Sequence, residues 1–254
     1  MTLKEIDEYF NSFLKKENFP ADPSRNGIQI ENSDVLHKEI KKVAFAVDAC
    51  EATALLAAKE NADLLFVHHG LFWGGCETVT GIHYKRLSAF LKNDIALYTS
   101  HIPLDANHET GNNYGLAFRL EMENLQPFGQ WKGMTLGVKG ELKQASTIEK
   151  IAEKLLSKNA CPKLLKFGPE KIKTVAIISG GAGDEHVQAA SEGVDLYITG
   201  EIGHEDFHSV EELNLNVIAG GHYETETAGI NLVRHKLEKE TGIETVFIDV
   251  PTGL

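Results

Sequence analysis

Short apolar runs alternate along the chain with segments whose apolar residues recur every three or four positions. The first segment, MTLKEIDEYFNSFLKKENF, carries Leu3, Ile6, Phe10, Phe13 and Leu14 on one stripe. That spacing predicts an amphipathic helix over 2–17, not a signal or transit peptide. Strand-type runs are expected at Lys42–Asp48, Leu64–His68, Ile95–Ser100, Met134–Lys139, Lys163–Phe167, Thr174–Ser179, Leu196–Thr199, Val217–Ala219 and Glu244–Val250. Helical patterns are expected near 50–60, 83–92, 111–120, 147–157, 184–192, 206–213 and 225–240. Strands and helices alternating in this way predict an α/β fold with largely parallel sheets. The longest apolar runs, such as Ala52–Ala58 and Val175–Ser179, are too short to span a bilayer.

The pattern repeats. Residues 43–70 align without a gap on 175–202 and share Val43/Val175, Ala44/Ala176, Ala57/Ala189, Ala58/Ala190, Glu60/Glu192, Asp63/Asp195 and Leu64/Leu196. Each copy reads as strand, helix with a small Ala-Ala face, turn, Asp-Leu and second strand. Each then runs through a further helix and strand to a histidine, His101 in one and His222 in the other. All βαβ units share some of this pattern. The alternative is two related α/β halves whose strand ends converge on one site. Glu123–Gln130, with Pro127 and Gly129, is the best candidate boundary. It gives halves at 1–127 and 128–254, with the segment after about 222 returning to the first half.

Three segments at strand ends carry candidate chemistry. In Val67-His68-His69-Gly70 a buried-type strand runs into two imidazoles. Neighbouring strand residues point to opposite faces, but a glycine turn at the strand end could aim both at one point. One structural and one solvated histidine is the plain alternative. Ser100-His101-Ile102-Pro103-Leu104-Asp105 places a carboxylate just past a strand, and Gly220-Gly221-His222-Tyr223-Glu224-Thr225-Glu226 places His222 and Glu226 on one helix face. The carboxyl ends of parallel strands are where α/β proteins bind ligands. Together the segments supply His68, His69, Asp105, His222 and Glu226: three nitrogen ligands and two carboxylates. Five ligands without sulfur exceed the need of a single catalytic zinc and suit two divalent ions about 3.5–4 Å apart. Zn, Fe, Mn, Co and Ni all fit such a donor set. Hydrolysis by a bridging hydroxide is the natural reaction class. His101, Glu201 and His208 are candidate proton donors or supports, and no position for an organic cofactor stands out. Trp73, Phe72 and Tyr84 follow the histidine pair and could wall a pocket, stack a planar ring or simply pack. Ser179-Gly180-Gly181-Ala182-Gly183 reads as a tight turn or an anion cradle, and it matches neither common phosphate-binding fingerprint.

Composition narrows the class. At 254 residues and 42% hydrophobic content, the chain can bury a core without disulfides or structural metal. A formal charge of −12 argues against general nucleic-acid binding, which needs clustered Lys and Arg. Cys50, Cys76 and Cys161 are scattered, as expected of reduced thiols in the cytoplasm.

The chain resembles the GTP cyclohydrolase 1 type 2 homologues, also described as NGG-interacting-factor-like proteins. The resemblance rests on PSRNGIQIENS at 23–33, DLLFVHHGLFWGG at 63–75, SHIPLDANHETGNN at 100–113, LYITGEIGHEDFHSVEE at 196–212, GGHYETETAGI at 220–230 and the terminal VFIDVP. It implies a dinuclear metal site with ligands at His68, His69, Asp105, His222 and Glu226, the two carboxylates bridging. It also implies two α/β halves and a ring-shaped homohexamer. The family name implies opening of the imidazole ring of GTP, so a small cyclic amide, amidine or nucleotide-like substrate is expected. A dinuclear phosphoesterase and a metal-binding adaptor or metallochaperone that engages protein partners are the competing readings.

Overall fold

The computed structural model describes residues 1–254. The chain opens with α1 (Leu3–Leu14), β1 (Gly27–Ile30), β2 (Lys42–Asp48), α2 (Glu51–Lys59), β3 (Leu64–His69), α3 (Gly81–Asn93), β4 (Ala96–Thr99) and the single turn α4 (Ile102–Asp105). It continues through α5 (Asn112–Arg119), β5 (Met122–Trp131), β6 (Met134–Ser146), α6 (Ile148–Leu155), β7 (Lys163–Lys166), β8 (Ile172–Ile177), α7 (His186–Ser191), β9 (Leu196–Thr199), α8 (Phe207–Glu212) and β10 (Asn216–Ala219). It closes with α9 (His222–Thr241) and β11 (Glu244–Phe247). These elements form two compact units. The first comprises Met1–Leu104 and Ile230–Val250, and the second Asp105–Gly229 and Pro251–Leu254. The division falls at Leu104–Asp105, upstream of the Pro127–Gly129 segment, because α5 packs on β6 and β8 of the second unit. No helix is long and apolar enough to cross a membrane.

The first unit holds a five-stranded sheet in the order β1-β4-β3-β2-β11, parallel except for the β1–β4 pair. One face carries Ala44, Ala46, Leu65, Val67 and Leu97 against the small residues Ala54 and Ala57 of α2 and Phe90 of α3. Small helix residues let the backbones approach closely, which explains the Ala-Ala signature. On the other face α1 seats Phe10 within 4.8 Å of the Phe66 ring and 4.9 Å of the Tyr98 ring. A capping box starts α1: the Thr2 hydroxyl accepts from Glu5 N, and Glu5 accepts from Thr2 N. Phe10 is fully buried. Phe10→Ala is therefore expected to lower unfolding free energy by about 3–5 kcal/mol, measured by denaturant unfolding.

The second unit holds a six-stranded sheet in the order β5-β6-β8-β9-β10-β7. Its central β8, β9 and β10 are parallel, while β5–β6, β6–β8 and β7–β10 are antiparallel. The α/β class stands, but this sheet is mixed. Two apolar clusters cover its faces, one containing Leu116, Val138, Ile151, Val175 and Ile198, the other Phe128, Ala176, Tyr197 and Val217.

The internal repeat is visible in the register. Val43 pairs with Leu64 in the first unit, and Val175 pairs with Leu196 in the second. Both three-strand cores carry an antiparallel strand on the outer side of the third strand, β1 on β4 and β7 on β10. The repeated Asp has one job in both units. Asp63 accepts from the backbone N–H groups of Lys41 and Lys42 at 2.8 and 3.2 Å. Asp195 accepts from those of Lys173 and Thr174 at 2.8 and 2.9 Å. Each carboxylate ties the start of one strand to the start of its parallel neighbour.

Two differences from the sequence pattern are instructive. The stretch Glu123–Gln130, the candidate boundary, lies within β5, an edge strand of the kind that tolerates a proline such as Pro127. The last helix begins at His222, upstream of the expected 225, so His222 occupies its first turn and Glu226 the next.

Candidate metal centre

In the first unit β3 runs through His69, and neighbouring strand residues alternate between faces. His101 follows β4, the strand beside β3. The three imidazoles nevertheless gather: ring centroids are 4.6 Å apart for His68–His69 and 5.0 Å for His68–His101. One ligand atom from each lies within 4.8 Å of the others. Gly70 is required by space. A Cβ there would overlap Thr99 Oγ1 and the Gln29 amide.

Each ring is held from behind. His68 Nδ1 lies 2.9 Å from the Ser100 carbonyl, His69 Nδ1 2.8 Å from Asp48 Oδ1, and His101 Nδ1 2.9 Å from Asp22 Oδ1. A carbonyl or carboxylate oxygen only accepts here, so each Nδ1 carries the proton and donates it. In the tautomer so fixed, Nε2 is the nitrogen that can bind an ion. Histidine ligands are fixed in this manner in metal sites, where the second nitrogen donates to a carboxylate or carbonyl. The Asp22 side chain is fully buried, and it also accepts from Ser24 N, Asn26 Nδ2 and Ile102 N. Burial pushes its carboxyl up, but His101, Asn26 and Ser24 outweigh that and hold it below its ordinary range.

In the second unit His222 Nε2 lies 3.2 Å from Glu226 Oε1, one helical turn along α9. His222 Nδ1 lies 2.5 Å from Glu201 Oε1. The turn after β8 gathers this set. Ser179 Oγ donates to Asp105 Oδ1 at 3.1 Å, and a Cβ on the next residue, Gly180, would overlap Glu226 Oε1. Gly180 has φ +68. The glycine-rich segment thus serves as a close-approach turn against a carboxylate. Buried Asn112 donates to Asp105 Oδ1 at 2.9 Å and accepts from Gly229 N at 2.8 Å. Ser179 and Asn112 thus fix the orientation of the Asp105 carboxylate through Oδ1.

His222 is the electrostatic signature of this set. Burial pulls its pKa down, but the hydrogen bond and charge of Glu226, then those of Glu201, push it up to about 9. A proton shared between His222 and Glu226 would compete with any cation held by that pair. Because the folded value exceeds the ordinary 6.5, this contribution to stability is complete below pH 6.5 and is lost as pH rises through about 9. The melting temperature of chelator-treated protein should fall across that window, and Glu226→Gln should flatten the slope. Ion binding at neutral pH should release protons, readable by calorimetry in buffers of different ionisation enthalpy.

The sequence candidates now have places. His68, His69 and His101 form one cluster; Asp105, His222 and Glu226 share a second through the Ser179–Gly180 turn, with Glu201 bonded to His222. His208 does not join either: it is 77% exposed on α8 beside Glu211. The supports Asp22, Asp48 and Asn112 are not among the sequence candidates, and Ser179 is there only as the start of the glycine-rich segment. Asp48 had a signal, since it ends the strand parallel to the one that ends in His69.

The sequence matches the family model Duf34/NIF3 (NGG1p interacting factor 3) over residues 1–253. The chain belongs to the DUF34/NIF3 family. Curated members described as GTP cyclohydrolase 1 type 2 homologs include one from Pyrococcus abyssi, 43% identical, and one from Treponema pallidum, 41% identical, each alignment covering all of both chains. Among solved structures, TTHA1606 from Thermus thermophilus superposes with a TM-score of 0.86 at 36% identity over all of both chains. DUF34/NIF3 membership thus covers the segments that supply both histidine and carboxylate clusters. Such clusters could hold metal ions.

Proposed function

We propose that this DUF34/NIF3 chain is a metal-dependent hydrolase whose two divalent ions are held by His68, His69, Asp105, His222 and Glu226. The supporting observation is the set of back-side hydrogen bonds. Four histidines have Nδ1 committed to an oxygen acceptor, which aims Nε2 at a common task. The donor set is nitrogen and oxygen only, as borderline divalent cations prefer. Asp105 ends the single turn α4, which begins directly after His101.

A bound pair of such ions supplies a water acidic enough to deprotonate near neutral pH and polarises the bond under attack. The chain's own groups do the rest. Asp48 and Ser100 lock His69 and His68 in the ligating tautomer. Glu201 orients His222 and balances its charge. His101, held by Asp22, keeps an Nε2 lone pair beside His68 and His69, where it can accept a proton from an attacking water. Asp105 and Glu226 would supply the two carboxylates of the ligand set. The substrate class is a small cyclic amide, amidine or nucleotide-like ring, in keeping with the description carried by the curated relatives. Cytoplasmic location fits three free thiols. A homohexameric ring follows from the family resemblance and predicts a solution mass near six times 27.9 kDa.

The test is turnover. Protein carrying its native metal load is offered cyclic amides, purine nucleotides and phosphate esters. Ring opening that stops on chelation and returns with one added metal supports the proposal. Phosphate release from esters alone would make the chain a phosphoesterase. Exchangeable metal with no turnover, together with a specific partner in pull-downs, would replace the hydrolase with an adaptor.

A further inference from the structure

The histidine cluster of the first unit has a fixed aromatic neighbour that its metal chemistry does not use. The Trp73 ring lies 4.9 Å from His101, edge to face at 79°, and 5.9 Å from His69. Its Nε1–H is already committed to the Gly70 carbonyl at 3.0 Å. The ring is therefore held in one orientation, yet 37% of the residue remains exposed. A large, rigid aromatic with an open face beside a polar cluster is a contact surface for a planar ligand group.

A cation is strapped to the same turn. Arg25 N donates to the Phe72 carbonyl at 3.0 Å. Gln29 accepts from Leu71 N and Phe72 N at 2.7 and 3.2 Å. The neighbouring Asn26 accepts from His101 N at 2.8 Å. These bonds fasten the 22–29 segment to both His101 and the turn carrying Trp73. The Arg25 side chain is exposed and stands in none of the molecule's ion pairs. Asp22, the acid three residues before it, is consumed by His101 and three other donors. An unpaired guanidinium here suits a carboxylate or phosphate group, which it can hold by paired hydrogen bonds.

We propose that Trp73 and Arg25 form a recognition edge beside the histidine cluster, Trp73 taking the face of a planar heterocycle and Arg25 an anionic substituent on it. This rests on the reading of the cluster as a substrate site, and it narrows that substrate to a ring bearing a negative charge. It also gives the segment PSRNGIQ a role: it positions His101 and presents Arg25.

The experiment uses full-length, metal-loaded Trp131→Phe protein, in which Trp73 is the remaining tryptophan. Its emission is titrated with guanosine and its 5′-monophosphate, with uracil and orotate, and with inorganic phosphate alone. Saturable quenching by ring compounds is expected, the charged member of each pair binding about tenfold tighter. Arg25→Ala should bring that ratio to about one and leave the neutral members unchanged. Trp73→Leu, followed by calorimetry, should weaken both members while metal content per chain stays constant. Absence of saturable quenching by all four rings, or a charge preference that survives Arg25→Ala, overturns the proposal. The outcomes separate from those of the hydrolase reading: metal bound without ring binding removes only the recognition edge, and ring binding without metal removes only the metal-dependent hydrolase.

Discussion

Asp105→Ala is expected to lose bound metal. Protein purified without added metal should carry close to two transition ions per chain, and the variant should fall to one or none, with hydrolysis abolished. The reason lies in how the carboxylate is held. Ser179 and Asn112 both donate to Oδ1, fixing the carboxylate so that little side-chain freedom is lost when it binds an ion. Removing the carboxylate removes a charge opposite a dication, a larger change than removing a support. Asn112→Ala should be milder, lowering metal affinity about 10–100-fold, because Asp105 stays and loses one of its supports while Ser179 still holds it. Metal content by elemental analysis, with circular dichroism to confirm folding, checks both. A folded Asp105→Ala protein with its full metal load would remove Asp105 from the ligand set.

Gly180→Ala should be nearly as damaging, and a built-in control shows why. Gly180 and Gly193 have almost the same backbone angle, φ +68 and +67. A methyl on Gly193 meets nothing within 4 Å, whereas one on Gly180 would overlap Glu226 Oε1 and stand 3.2 Å from His222 Nε2. Both substitutions carry the left-handed backbone penalty of about 1–2 kcal/mol. The Gly180 variant alone must also displace a carboxylate from the site. Chelator-competition titration should show unchanged metal affinity for Gly193→Ala and at least a roughly tenfold loss for Gly180→Ala. Equal metal affinity in the two would mean that the turn after β8 does not touch the ligand set.

Much of this was legible along the chain. Parallel-strand units have short loops and strong apolar runs, so β2, β3, β8 and β9 appeared near their true bounds. The repeat survived because its shared residues do structural work: Asp63 and Asp195 clamp strand starts, while Ala57 and Ala189 allow close helix packing. What escaped was structure whose stability comes from neighbours. β5 reads as a break because Pro127 and Gly129 interrupt it, and only its edge position makes them harmless. β1, four residues long, is stabilised by pairing with β4. The Gly70 turn suggested backbone freedom, but the glycine is there for lack of room beside Thr99 and Gln29.

The same division runs through the site. Residue type and spacing by themselves determined the α/β class, the repeat and the five candidate ligands, because strand ends and helical spacing are local properties. The tertiary structure decided which nitrogen of each histidine is offered, that His101 joins His68 and His69, and that His208 stays apart. Those outcomes depend on hydrogen bonds between residues distant in the chain, such as Asp22 to His101 and Asn112 to Gly229. No local pattern encodes such a bond. It exists only once the strands have registered and buried polar groups have been forced to find partners.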